Sequence, residues 1–148
     1  MRLRNHIIYS LFSLLFITYA CSPKTNQDLS FSKQNQKLLF DQNFSKVNAS
    51  NSQWIQSYLR RSLFVEAYLE NANFKDCFAF KTDFRKAILK NANFTGCDLR
   101  YADFRGADLR DADFTDALIY DARFEGSLIN KKTKIDFNEG PKGAHLIE

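Results

Sequence analysis

From Ala67 onward the apolar positions recur every five residues. Read in fives, the chain gives AYLEN, ANFKD, CFAFK, TDFRK, AILKN, ANFTG, CDLRY, ADFRG, ADLRD, ADFTD, ALIYD and ARFEG. The first place holds Ala, Cys or Thr. The third holds Leu, Phe or Ile, with Ala79 as the exception. Places four and five are mostly polar. The same phase runs back through Ser62-Leu63-Phe64, Ser57-Tyr58-Leu59 and Ser52-Gln53-Trp54, and forward to Ser127-Leu128-Ile129. The 80 residues from Ser52 to Lys131 therefore make 16 repeats without a slip. Two earlier repeats, around Phe44 and Ala49, keep phase but carry Gln42 and Val47 where a small residue belongs.

A period of five suits neither a helix at 3.6 nor a simple strand at 2. In an extended piece, places one and three face the same way, because side chains alternate. The small and the large apolar residue then point inward, and the polar places point outward or turn a corner. One such side cannot bury its own apolar face, but coiling side after side into a solenoid can. A second period tests the number of sides. One set of third-place residues is Phe64, Phe84, Phe104 and Phe124, and another is Trp54, Phe74, Phe94 and Phe114. The sets between are Leu69, Leu89, Leu109, Ile129 and Leu59, Ala79, Leu99, Ile119. Aromatic and aliphatic sides alternate with a period of 20, which predicts four sides per turn. A three-sided coil would mix them. Rings stacked at strand spacing each add about 0.5–1.5 kcal/mol beyond burial.

The repeat resembles the pentapeptide repeat family, whose pattern is A-(D/N)-L-x-x. The resemblance covers about 80 of the 148 residues. It implies an all-β fold, a right-handed quadrilateral β-helix solenoid. The repeat domain is placed at 42–131, secure from Ser52, with a C-terminal cap at 132–148. In many members an irregular stretch with apolar anchors closes the last turn. Ile135, Phe137 and Leu146 are the cap candidates, and the five-residue pattern stops at Lys131.

The other end reads as an address. Arg2 and Arg4 precede the 14 uncharged residues Ile7–Ala20, a positive start and apolar run of signal-peptide size and short for a membrane span. The run ends at Thr18-Tyr19-Ala20-Cys21, which resembles the bacterial lipoprotein signal. That resemblance implies cleavage after Ala20 and acylation of Cys21, leaving 1–20 as signal peptide. Ser22 after the Cys favours the outer membrane over inner-membrane retention. Residues 21–41 are rich in Ser, Lys, Asn and Gln and read as a polar tether, with Leu38-Leu39-Phe40 as a short plug for the coil.

Composition narrows the function. There are 15 Phe but only three Cys and two His, little material for a zinc, haem or His-dependent catalytic site. The net charge of +4 is mild. Over Ser52–Lys131, 12 Lys/Arg balance 12 Asp/Glu, a net of zero. Some pentapeptide repeat proteins imitate DNA and occupy DNA gyrase. Such mimicry needs an acidic shaft, so it stands here as the alternative reading.

Three groups of residues could carry chemistry. Cys77 and Cys97 lie 20 apart in the first place. They form either a disulfide, which an exported protein could keep, or two small apolar residues standing in for Ala. Stacked parallel Cβ vectors suit a disulfide poorly and favour the second. Asp108, Asp111, Asp113 and Asp116 crowd nine residues, yet they fall at outward places interleaved with Arg105 and Arg110, a solvated surface rather than an acid–base pair. The register predicts opposite-charge pairs Asp103–Arg123 and Arg105–Glu125 across strands. His145 has no partner in the pattern, and no nucleophile has a His beside it. The expectation is no enzyme, cofactor, metal, nucleic acid or small-molecule substrate.

One surface is less bland. On the side of Leu59, Ala79, Leu99 and Ile119, the outward places include Tyr58, Phe78, Phe80, Leu118 and Tyr120, with Arg60 and Arg100 between. A contiguous exposed apolar patch marks a contact site, and aromatics with Arg are common interface anchors. The alternatives are that Leu38–Phe40 folds over it, or that Phe78 and Phe80 turn locally because Ala79 leaves room. The expected function is a rigid interaction or structural module in the cell envelope, facing periplasm or cell surface. Its partners would be a membrane, through the anchor at Cys21, and an unidentified envelope protein or a second copy.

Overall fold

The structure, a computed structural model, describes residues 27–135 and the pair 145–146. The chain winds so that each residue in the second place lies beside the residue 20 positions on. Parallel bridges run Asp28↔Asn48↔Tyr68↔Ile88↔Asp108↔Leu128 on one side of the coil. They run Lys33↔Gln53↔Asn73↔Asn93↔Asp113 on the next, Leu38↔Tyr58↔Phe78↔Asp98↔Leu118 on the third and Asn43↔Leu63↔Asp83↔Asp103↔Arg123 on the fourth. Residues 27–126 thus make five four-sided turns, stacked at about 4.8 Å, and 127–135 begin a sixth. Each side is extended for only three residues, so nearly all pairing is by single bridges. The longer strands are β1 (Leu128–Ile129) and β2 (His145–Leu146), which pair in parallel.

The repeat consensus follows from where the five N–H groups go. Taking Ser62–Glu66 and its equivalents, the third-place N–H of Phe64 donates to Asp83 O in the next turn at 2.7 Å, and the fifth-place N–H of Glu66 donates to Arg85 O at 2.9 Å. The second-place N–H of Asp83 donates back to Ser62 O at 3.0 Å, and the first-place N–H of Ala67 closes the corner onto Phe64 O at 3.1 Å. Only the fourth-place N–H lacks a backbone acceptor. An Asp or Asn in the second place supplies one: Arg85 N–H donates to Asp83 Oδ1 at 3.0 Å, and Thr95 N–H donates to Asn93 Oδ1 at 2.9 Å. Buried backbone donors must be paired, so the D/N of the repeat caps the corner.

The fifth place has positive φ in every turn, from 57° at Phe31 to 54° at Asp121. Gly fills it at 96, 106 and 126. A Cβ at Gly96 would also lie 2.5 Å from Asp76 Oδ1, so that side chain would have to swing aside.

The core is two aromatic columns. Phe64, Phe84, Phe104 and Phe124 stack with centroids 5.0–5.2 Å apart. Trp54, Phe74, Phe94 and Phe114 stack at 4.9–5.8 Å. The columns meet edge to face across the axis, as in Phe74–Phe84 and Phe84–Phe94, both at 5.6 Å. Leu69, Leu89, Leu99 and Leu109 are fully buried between them. The small first places form the inner wall. Some of their hydroxyls donate to a third-place carbonyl in the turn before, Ser62 to Leu39 O at 2.5 Å and Thr82 to Leu59 O at 2.8 Å, while Ser52 donates to Ala49 O in the repeat before. Ser127 Oγ is buried and has no partner among the described residues.

Three expectations need correction. Residues 27–41 were expected as tether, but they already form the first turn, pairing through Asp28, Lys33 and Leu38. Their inward places carry Lys37 and Gln42 because no turn pairs beyond them on that side among the described residues. Lys37 is exposed, and the Gln42 side chain turns back to Phe40 O at 2.9 Å. Val47 is buried in phase. At the other end, the coil does not stop at Lys131. The Asn130–Lys132 corner holds one extra residue, so Lys134 pairs with Asp113 at an offset of 21. The Asn130 side chain builds that corner, accepting N–H groups from Lys132 and Thr133 at 3.2 and 3.1 Å. Ile135 packs against the core, and His145–Leu146 pair over Leu128–Ile129, while Phe137 lies outside the described residues. Finally, Cys77 and Cys97 are joined as a disulfide, with Cα atoms 4.6 Å apart. That spacing is the strand spacing of the coil and falls inside the range a disulfide spans, so stacking does not exclude the bond.

Candidate interaction surface

The third side of the coil carries an aromatic and cationic strip. Its second-place column reads Leu38, Tyr58, Phe78, Asp98, Leu118, and its corner adds Phe40, Arg60, Phe80, Arg100 and Tyr120 in the fourth place. These side chains point outward because inward places one and three already fill the core. Tyr58 stacks on Phe78 at 4.6 Å, and Phe40 meets the edge of Tyr58 at 6.0 Å. Phe80 is half-buried under three cations: Arg60, Arg100 and Lys81 lie 5.9, 5.8 and 5.4 Å from its centroid. Tyr101 links Phe80, at 5.4 Å, to Tyr120, at 6.3 Å. The strip thus runs from the first turn to the fifth.

All seven residues singled out from the sequence lie on this face. The Leu38–Phe40 segment does not fold over it; it extends the same face by one turn. Sequence reasoning missed Leu38, Phe40, Lys81 and Tyr101. The first two were hidden in the supposed tether. The last two sit in the fifth place, whose backbone directs them onto the corner beside Phe80.

Charges on the face are locally matched. Arg100 holds Asp98 in a two-point pair at 2.8 and 2.7 Å, and this hydrogen bonding keeps the Asp98 carboxyl below its usual range. Arg61 holds Asp41 the same way, at 2.6 and 2.8 Å. The Asp121 carboxylate beside Tyr101 pushes its phenol upward. Arg60 and Lys81 instead lie over the Phe80 ring, where a cation gains from the ring face.

Three of the four clustered aspartates, all but Asp116, find a side-chain partner among the described residues. Asp108 binds Arg110 at 2.6 Å and Asp113 binds Lys134 at 2.8 Å, while Asp111 contacts Asn130. The expected cross-strand charge pairs are replaced by pairs within one repeat. Asp103 lies beside Arg123 in register, yet its carboxylate is taken by Arg105 at 2.6 Å, and Arg123 turns to Glu125 at 3.7 Å. The reason is the corner: Asp103 already accepts the Arg105 N–H, which places the guanidinium of Arg105 beside it. Among the described residues no group of three or more His, Cys, Asp or Glu could hold a metal ion, and no helix is long and apolar enough to cross a membrane. The anchor candidate Cys21 and the signal 1–20 lie outside the described residues.

The family model for Pentapeptide repeats matches eight copies, over residues 43–78 and 80–116. Solved structures share the architecture. Rfr23, a pentapeptide repeat protein of the cyanobacterium Cyanothece 51142, superposes with a TM-score of 0.68 at 20% identity, covering 74% of this chain and 88% of that one. A pentapeptide repeat protein of the Arabidopsis thaliana thylakoid lumen gives 0.56 at 22% identity, with 69% and 70% covered. A trypsin-treated form of QnrB1, a plasmid-mediated fluoroquinolone resistance protein, gives 0.56 at 17% identity, with 82% and 86% covered. No curated protein matches the chain.

Proposed function

We propose, for a chain that belongs to the pentapeptide repeat family, a non-enzymatic lipoprotein of the cell envelope. It is anchored through Cys21 and presents one face of a rigid right-handed coil to a protein partner. The observation that carries this reading is the strip of Tyr58, Phe78, Phe80, Leu118 and Tyr120 with Arg60 and Arg100. Large aromatics and Arg on a rigid support are what interface anchors are made of. The Cys77–Cys97 disulfide supports export, since such bonds persist in oxidising compartments. The charged sequence start, uncharged run and Cys21 support the anchor. A DNA mimic acting on gyrase would need an acidic shaft, and the 12 basic and 12 acidic residues of 52–131 weigh against it. The likeness to QnrB1, at 17% identity, bears on the fold alone.

A photo-crosslinking amino acid placed at Phe78 in growing cells tests the face, with the same group at Glu70 on another side as control. A discrete adduct in the membrane fraction from Phe78 alone is expected. The same adducts from both positions, or none from Phe78, would refute the docking face. The intact mass of the mature protein tests the anchor: it must exceed the chain from Cys21 by acyl groups, and Cys21→Ala must abolish the excess.

A further inference from the structure

The first turn forms the end of the described coil, and large apolar side chains stand exposed on it. Phe31 is 75% exposed, Leu38 69% and Phe40 42%. Phe31 sits at the corner between the first and second sides and Phe40 at the corner between the third and fourth, so the two rings occupy opposite corners of a square. Leu29, Leu39 and Phe44 are only partly buried between them. Lys33 and Lys37 are exposed on the same rim. Of its acids, Asp41 is taken by Arg61, while Asp28 accepts the Ser30 N–H. Aromatic side chains mixed with Lys are the composition that settles at a bilayer interface, where rings enter the headgroup layer and cations meet anionic lipid.

The chain between this rim and the anchor is short. The coil has begun by Gln27, whose carbonyl accepts the Asn48 N–H at 3.2 Å. Only residues 22–26 separate it from Cys21. Six Cα steps span about 20 Å at full stretch. The twenty-residue tether expected from composition would have reached about 65 Å. With Cys21 acylated, so short a link holds the first turn at the membrane.

We propose that the first turn docks end-on at the headgroup–acyl boundary of an anionic bilayer, with Phe31 and Phe40 as corner anchors. The shaft then stands away from the membrane, and Tyr120 on the fifth turn lies at the end of the strip away from the lipid. The proposal rests on acylation of Cys21.

The test uses the lipidated full-length mature protein in phosphatidylglycerol-containing vesicles whose acyl chains carry bromine, a contact quencher of indole. Phe31→Trp, Phe40→Trp and Tyr120→Trp are compared with wild type, whose single Trp54 is buried. Loss of most of the added emission for Phe31→Trp and Phe40→Trp, with none for Tyr120→Trp, is the expected result. Equal quenching of Phe40→Trp and Tyr120→Trp would mean that the shaft lies on its side, and overturns end-on docking. No quenching at either rim position overturns contact altogether. The mass of the same reconstituted sample separates the two claims. An acylated protein without rim quenching refutes the docking and leaves the anchor standing; a protein without acyl mass refutes the anchor and the docking with it.

Discussion

Replacing Phe84 by Ala tests whether the stacked columns hold the coil together. The ring is fully buried in the third turn. It stacks on Phe64 at 5.2 Å and Phe104 at 5.0 Å, and meets the edges of Phe74 and Phe94 at 5.6 Å each. Buried Phe→Ala changes cost about 3–5 kcal/mol from lost transfer energy and the cavity left behind. Four aromatic contacts vanish at once, and layers fixed by backbone pairing above and below cannot close the gap. The loss belongs at the upper end, about 5 kcal/mol. Phe44 fills the same column in the first turn, but is half-buried with one stack, at 4.9 Å, and one edge contact, at 5.2 Å. Phe44→Ala then costs about 2 kcal/mol. Urea unfolding followed by far-ultraviolet circular dichroism and by Trp54 emission measures both. Equal losses for the two variants, or a Phe84→Leu variant as stable as the wild type, would refute the column as the source of stability.

Four further outcomes are expected. Ala107→Leu overpacks the inner wall and lowers stability by about 1–3 kcal/mol, while Ser45→Ala, at a half-buried corner, leaves the midpoint unchanged; equal shifts would refute the inward assignment. Ser127→Ala, removing a buried hydroxyl without a partner among the described residues, raises the melting temperature slightly, whereas Ser62→Ala loses the bond to Leu39 O and about 1 kcal/mol. The Cys77→Ala/Cys97→Ala double variant loses about 3 kcal/mol, the chain-entropy value for a loop of this length, and its wild-type counterpart shows the same loss in reductant. Stability falls with acid: Asp98 is held low by the hydrogen bond from Arg100, and in Asp103 and Asp108 burial pushes upward but hydrogen bonds from Arg105 and Arg110 bring the net shift down. A carboxyl whose folded value lies below its unfolded value adds stability above about pH 4, lost as pH falls through the folded value. Denaturation midpoints that stay flat from pH 5 to pH 2 would contradict these pairs.

The middle of the coil was legible because each inward position is constrained by a layer on both sides. Phe, Leu and Ala can hardly be exchanged there, so the 5- and 20-residue periods print through. At the first turn only one of those layers lies among the described residues, and Lys37 and Gln42 stand in places that hold Ala elsewhere. Composition then reads as tether although the backbone is already paired. The extra residue at Asn130–Lys132 was invisible because it is absorbed by side-chain bonds of Asn130, not by a change in the apolar pattern. The two cysteines carried their register plainly, but whether stacked side chains could bond depended on a Cα separation that the sequence does not print. The pairing of Asp103 with Arg105 hid for a similar reason. Register gives neighbours, whereas the partner was chosen by the N–H that the aspartate caps. The strip was partly legible, as its second- and fourth-place residues follow from alternation, and its fifth-place members depend on the turn of the corner.

The 20-residue register makes the shaft a graduated rule. Adding a block of twenty lengthens it by about 4.8 Å and leaves every face where it was. Adding five turns everything downstream by a quarter revolution, so Leu118 and Tyr120 would leave the face that holds Tyr58 and Phe78. Adding one exchanges inside for outside, unless a widened corner like Asn130–Lys132 absorbs it. Length and the heading of the far end can therefore be set separately, one by twenties and the other by fives.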